Sequence, residues 1–229
     1  MHYQIAIDGP SGAGKSTLAK AVARKLEIVY VDTGALYRTV GYYVREKGID
    51  PKNAEKVEAL LPEINVRVAY EGGTQRVYLN GEDLGDRIRT SEISMYASAV
   101  SAIPAVRAFL LETQKEIARV NSVIMDGRDI GTVILPEAEL KIFLTATPEA
   151  RAARRYKELV EKGESITLED VLADMAKRDG NDSQRAVAPL VAAPDAVHFD
   201  NSEMTVEESV DEILRMIGER VPGAVGGAV

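Results

Sequence analysis

The sequence predicts an α/β fold in which a five-stranded parallel sheet is flanked by helices and a small antiparallel β insert stands beside it. Three observations carry this. Five short apolar runs alternate with stretches of helical periodicity, a pattern that implies parallel strands buried on both faces. The first run leads directly into a glycine-rich loop and then a helix, the strand–loop–helix order of a phosphate-binding unit. Between residues 64 and 79 the apolar period changes to two, which is the mark of antiparallel strands.

Taken in order, Tyr3–Ile7 is an apolar run that ends at Asp8-Gly9, and Lys15–Leu26 carries Leu18, Val22 and Leu26 at helical spacing. Ile28–Val31 reads as a second strand, and Leu36, Val40 and Val44 mark a helix that stops near Gly48. Ile64–Tyr70 alternates, Glu71–Thr74 reads as a turn, Gln75–Leu79 as the partner strand and Asn80-Gly81 as a tight hairpin turn. Ser91–Ser101 and Pro104–Arg119 follow as helices. Val123–Met125, closed by Asp126, and Leu140–Leu144 read as the third and fourth strands of the main sheet. Thr147-Pro148-Glu149 is an N-cap with proline at the first helical position. A further helix starts at Thr167–Asp170 and runs toward Arg178. Ala196–Phe199 is the fifth strand, and Thr205–Glu208 is a capping box for a last helix reaching Arg220. The Gly-rich segment 222–229 reads as a flexible tail.

Composition narrows the function classes. The chain has 229 residues and a formal net charge of −8. The surface as a whole repels nucleic acid and anionic membranes, so cations for a phosphate site must be gathered locally. Seventeen arginines outnumber eleven lysines, and the planar guanidinium grips phosphate bidentately. The absence of cysteine excludes disulfides, thiolate chemistry and cysteine-bound metals. A strand-like run begins within the first few residues and no apolar run approaches membrane-spanning length, so a cytoplasmic protein without a signal peptide is expected. No segment shows an assembly seam, and a monomer is the expectation.

Residues Gly9-Pro10-Ser11-Gly12-Ala13-Gly14-Lys15-Ser16 match G-x-x-x-x-G-K-[ST], and Thr17 adjoins them. Glycines let the loop curl so that its N–H groups face an anion. The lysine reaches the β and γ phosphates, the serine ligates Mg²⁺, and the next helix presents its positive end. This set is expected to bind ATP with Mg²⁺. Asp126 closes an apolar strand, the place where P-loop proteins hold Mg²⁺ through water. A guanine-reading N-K-x-D string is absent, which sets a GTPase aside. A kinase also needs cations over the transferred group. Arg151, Arg154 and Arg155, followed by Lys157, Lys162 and Gly163, supply a plausible lid, with Arg178 and Arg185 beyond it.

Four strings together resemble the bacterial cytidylate kinase family: Ile7–Thr17, Asp32-Thr-Gly-Ala-Leu-Tyr-Arg38, Asp126-Gly-Arg-Asp-Ile-Gly-Thr132 and Arg185-Ala-Val-Ala-Pro-Leu190. The resemblance runs from about Tyr3 to Arg220. The first string alone says P-loop, and the other three select the family. The resemblance implies transfer of the γ-phosphoryl group of ATP to CMP or dCMP. It also implies one P-loop kinase domain over residues 1–221, with a core of 1–34, 108–150 and 167–221. The monophosphate-binding region would be 35–107, with its insert near 62–90, and a short lid would span 151–166.

Site roles follow from the same resemblance. Thr33, Tyr37 and Arg38 would wall the monophosphate site, with Arg38 on the acceptor phosphate. Ser98, Arg107 and Asp129 would read cytosine, whose N4 amino donor lies beside the N3 and O2 acceptors. Arg128 and Arg178 would clamp phosphate, Asp182 would bind the ribose, and Arg185 would complete the acceptor side. Gly180, Asn181 and Gln184 stand where relatives often carry further basic residues, a departure that moves weight onto Arg151, Arg154 and Arg155. Outside the resemblance, no nucleophile falls in any motif, since cysteine is absent and His2 and His198 lie elsewhere. Direct in-line transfer is therefore expected, with Lys15, Arg128, Arg178, Arg154 and Arg155 as the catalytic cations.

Overall fold

Strand β1 (Gln4–Asp8) runs through the glycine-rich loop into α1 (Lys15–Leu26), and β2 (Val29–Asp32) passes without a loop into α2 (Thr33–Glu46). The insert follows as α3 (Ala54–Leu60), β3 (Val66–Glu71), β4 (Thr74–Leu79) and β5 (Glu82–Asp83). Helices α4 (Ser91–Val100) and α5 (Pro104–Val120) lead back to β6 (Val123–Gly127), a π-helical turn at Ile130–Ile134 and β7 (Leu140–Thr145). The chain closes with α6 (Pro148–Glu161), α7 (Leu168–Gln184), β8 (Val197–Asp200) and α8 (Val206–Arg220). This computed structural model describes residues 2–71, 73–161 and 163–225. Gly72 of the expected turn, Lys162 of the expected lid and residues 226–229 of the expected tail lie outside the described residues.

The main sheet has five parallel strands in the order β2-β6-β1-β7-β8. Its register places Asp32 beside Asp126, Ile7 beside Asp126 and Asp8 beside Gly127. The carboxyl ends of β1, β2 and β6 therefore deliver three acids to one edge, the place where open α/β sheets bind ligands. One face of the sheet packs Ile5, Ile7, Ile124 and Leu144 against Leu18 and Val22 of α1 and Ile213 and Ile217 of α8. The other face buries Ala6, Val31, Val123, Met125 and Ile130.

The insert is a separate antiparallel sheet, β3-β4-β5. With α2–α5 it encloses its own core, including Leu36, Val40, Val57, Val77, Leu79, Ile93 and Val106. A Cβ added at Gly41 of α2 would lie 2.9 Å from the Ala97 nitrogen of α4. The bare backbone thus lets these two helices pack closely, and they carry Tyr37, Arg38 and Ser98.

Three elements depart from the periodicity reading. Helix α3 leaves no periodic signal: it buries only Val57 and Leu60, too few positions to show a period. Strand β5 has two residues and leaves no alternation to detect. Helix α7 continues past Arg178 and Gly180 to Gln184, so Asp182 is a helical residue. Beyond α8, Ala224 packs against the α1/α8 core and its N–H donates to the Val221 carbonyl at 3.0 Å. Among the described residues no single helix is long and apolar enough to cross a membrane.

Candidate functional site

A cleft of about 590 Å³ opens at the carboxyl edge of the main sheet, between the glycine-rich loop, the insert region and α6–α7. Gly9 has φ 151°, and a Cβ there would sit 2.0 Å from the Leu144 carbonyl oxygen, so only glycine lets the loop turn off β1. Gly14 begins α1 without a side-chain cap, which leaves the first-turn amides open to an anion. The Lys15 ammonium donates to the Gly9 and Pro10 carbonyls at 2.8 and 2.7 Å. Burial, reinforced by the nearby Arg128, holds this lysine well below its usual pKa. A phosphate would add negative charge beside it and favour its protonated form.

Ser16 donates to Asp126 Oδ2 at 2.7 Å, and Tyr30 donates to Oδ1 at 2.9 Å. Burial and the neighbouring Asp32 charge raise the Asp126 pKa. The half-buried Ser16 hydroxyl and the buried Asp126 carboxylate form a hard oxygen set beside the phosphate loop. Mg²⁺ keeps most of its waters and takes one or two carboxylates together with phosphate oxygens, so Ser16 and Asp126 fit it.

The opposite half of the cleft is a lattice of ion pairs. Asp32 caps α2 by accepting from Ala35 N at 2.9 Å, and it pairs with Arg38 at 2.8 Å and Arg89 at 3.8 Å. Burial pushes Asp32 up, but the two arginines outweigh it and hold the carboxyl below the usual range. Asp129 pairs with Arg107 through one oxygen and with Arg185 at 3.2 Å through the other. Asp182 takes Arg128 Nε at 2.7 Å and the Ser98 hydroxyl at 3.5 Å. Burial raises Asp182, and Arg128 with Arg178 pulls it below the usual range. Arg107 also lies over the Tyr37 ring, 5.5 Å from its centroid.

Arg178 reaches the Ser11 hydroxyl at 3.4 Å. Burial, then repulsion from Arg128, Arg38 and Arg155, lowers its pKa to about 10. The Nε atoms of Arg38 and Arg178 are buried without a hydrogen-bond partner. Mutually repelling guanidiniums with unsatisfied donors, facing one cleft, are what a polyanion site requires.

The cleft brings together Lys15, Ser16, Thr17, Thr33, Tyr37, Arg38, Ser98, Arg107, Asp126, Arg128, Asp129, Arg154, Arg155, Arg178, Asp182 and Arg185. Arg151 departs from the lid expectation. It is buried away from the cleft and donates to the Ala146 carbonyl at 3.0 Å, the Ser11 carbonyl at 2.9 Å and Asp179 at 2.5 Å. Asp179 also accepts from Ser11 N at 3.0 Å, so this pair bolts the phosphate loop to α6 and α7. Arg154 does face the cleft, but it is tied to the Asn201 side chain at 3.0 Å and to its carbonyl at 2.7 Å. Arg155 pairs with Glu158 at 2.8 Å. His198 stacks at a tilt on Phe143, with ring centroids 5.5 Å apart.

Several cleft residues escaped the sequence reading. Asp32 before a helical period is a recognisable cap, whereas Arg89, Ser101 and Asn201 carry no local signal. In the sequence Asp8 marks only the end of a strand. Its carboxylate accepts from Ile130 N and Gly131 N, both at 2.8 Å, and so fixes the loop that carries Arg128 and Asp129.

Comparison with known proteins agrees with this geometry. A family model described as cytidylate kinase matches residues 5–219. A cytidylate kinase from Fervidobacterium nodosum is 49% identical over 220 residues, covering 96% of this chain and 98% of its own. Another, from Thermosipho melanesiensis, is 47% identical over 220 residues, covering 96% and 99%. Among solved structures, an uncharacterized protein from Eubacterium ventriosum gives a TM-score of 0.53 at 13% identity over 96% of this chain and 100% of its own, a likeness of fold alone.

Asp8 generates a pH prediction. Burial raises its folded pKa from 3.8 to about 6. The folded protein then holds a proton that the unfolded chain releases between those values. The stability linked to this proton is present below the unfolded pKa and is lost as pH rises through the folded one. Asp8→Asn removes the titration. The Tm of the parent minus that of Asp8→Asn is therefore expected to grow as pH falls from about 7 to about 5, measured by thermal unfolding. A difference that is flat across this window would contradict the assignment.

Proposed function

The chain belongs to the cytidylate kinase family, and we propose that it transfers the γ-phosphoryl group of ATP to CMP or dCMP, giving CDP or dCDP and ADP. The observation that carries this reading is the two-sided cleft: a phosphate loop with Lys15 on one side, and on the other Asp129 held between Arg107 and Arg185 with Ser98 nearby. A carboxylate flanked by guanidiniums and a hydroxyl matches the alternating donor and acceptors of the cytosine edge. Arg128 and Arg178 lie between the halves, where the transferred group would pass.

In this reading Gly9 through Thr17 cradle the ATP phosphates, with Lys15 on the β and γ groups. Thr33, Tyr37 and Arg38 wall the acceptor site. Asp182, paired with Arg128, meets the ribose and keeps the clamp in line. Arg154, anchored on Asn201, lies at the donor side. Ser16 and Asp126 would hold Mg²⁺, which neutralises phosphate charge when bound. The acceptor phosphate is already ionised, so the protein's contribution is positioning and charge neutralisation in a direct in-line transfer. No thiol is available as a phosphoryl carrier, and His198 is engaged with Phe143. Residues 35–107 and 151–166 are taken to close over the substrates. With a net charge of −8 and ten of its 28 lysines and arginines lining one cleft, the enzyme is taken to act in the cytoplasm, as a monomer, on small nucleotides.

A coupled assay of ADP production tests the reading with CMP, dCMP, UMP, AMP or no acceptor. CMP and dCMP are expected to support turnover well above AMP or no acceptor, and AMP as good as CMP would contradict it. Asp129→Ala is expected to raise KM for CMP about 100-fold and to leave KM for ATP within about twofold. A change confined to the ATP constant would move Asp129 out of the acceptor site. Lys15→Ala is expected to lower kcat about 10³-fold with a cooperative thermal transition retained.

A further inference from the structure

Gln75 lies on β4 of the insert, outside every motif and outside the cleft lining. Its side-chain amide nevertheless holds the backbone where β2 passes into α2. Gln75 Oε1 accepts from Asp32 N at 2.8 Å, and Gln75 Nε2 donates to the Asp32 carbonyl at 3.1 Å. β2 is an edge strand of the main sheet. The exposed donor and acceptor of its last residue are thus paired by one planar amide, as a further strand would pair them.

The placement of this glutamine is unusual for a strand. Gln75, Val77 and Leu79 share one face of β4, and Val77 and Leu79 are buried in the insert's core. The period calls for a third apolar residue, and a polar one stands there because its partner is a peptide group.

The held peptide is next to the acceptor residues. Thr33 follows directly, and its hydroxyl donates to the Asp126 carbonyl at 2.7 Å. One turn further on, Arg38 pairs with the Asp32 carboxylate at 2.8 Å. The insert reaches the same carboxylate a second time through Arg89, at 3.8 Å. The insert therefore grips Asp32 at its peptide through Gln75 and at its side chain through Arg89.

We propose that Gln75 is a positioning residue for the acceptor half of the cleft. By locking the Asp32 peptide to the insert, it sets where Thr33 and Arg38 stand when a nucleoside monophosphate binds. This rests on the proposed function, in which that half takes the acceptor.

Steady-state kinetics of Gln75→Ala and Gln75→Glu, with Tm measured alongside, test it. Loss of both hydrogen bonds in Gln75→Ala is expected to raise KM for CMP about tenfold, with KM for ATP within about twofold. Gln75→Glu keeps the side-chain size and can still accept from Asp32 N. It sets a carboxylate against the Asp32 carbonyl, so it is expected to raise KM for CMP at least as far as alanine does. A purely structural role would lower Tm and leave both constants in place. KM for CMP within twofold of the parent in both variants, or KM values for CMP and ATP rising together, would overturn the proposal. A parent protein that fails to turn over CMP would overturn the acceptor reading, and this inference with it.

Discussion

Eight guanidiniums line one cleft, with those of Arg38, Arg107, Arg128, Arg178 and Arg185 among them, in a protein whose net charge is −8. Like charges at such spacing repel strongly once water is excluded. Asp32, Asp129 and Asp182 make the arrangement possible, each sitting between cations that would otherwise spread apart. The compensation is incomplete at Arg178, whose pKa falls to about 10 under burial and the repulsion of its neighbours. A cleft with this residual positive field would receive phosphate with its cations already in place, so that little reorganisation would remain for the chemical step.

The sheet supplies the frame for those carboxylates. Parallel pairing of β1, β2 and β6 sets Asp32 beside Asp126 and Asp8 one residue further along at the same edge, and each is given a different task by its surroundings. Asp126 accepts from Ser16 and Tyr30 through its two oxygens. Asp32 turns to Arg38 and Arg89. Asp8 meets two backbone amides and anchors the loop of Arg128 and Asp129. The donor loop is bolted from the opposite side by the Arg151–Asp179 pair on α6 and α7. Donor and acceptor halves are therefore tied to one sheet edge by short contacts.

Legibility in the sequence followed the range of the interactions. The phosphate loop could be read directly because its residues are contiguous and its glycines answer a local steric demand, as the 2.0 Å approach at Gly9 shows. Five main-sheet strands and the hairpin could be read because burial on two faces or one leaves a period. Ser98, Arg107 and Asp182 were legible only through family resemblance. Each is an ordinary helical residue until tertiary packing brings it to the cleft. Gln75, Arg89 and Asn201 had no such signal, since the contacts that bring them to the site, with Asp32 and Ala13, are made across 43 or more positions. Arg151 shows the limit from the other side. Its spacing beside Arg154 and Arg155 puts all three on one helix face, but Arg151 lies a turn nearer the start of α6 and meets the phosphate-loop backbone and Asp179 there.

The central claim is that preorganised cations suffice for phosphoryl transfer, with no covalent carrier on the protein. The stereochemical course at the transferred phosphorus tests this most directly, using ATP made chiral at the γ-phosphorus with CMP as acceptor. A single in-line displacement gives inversion of configuration, the expected result. Retention would require two displacements, hence a phosphorylated side chain, and would contradict the claim.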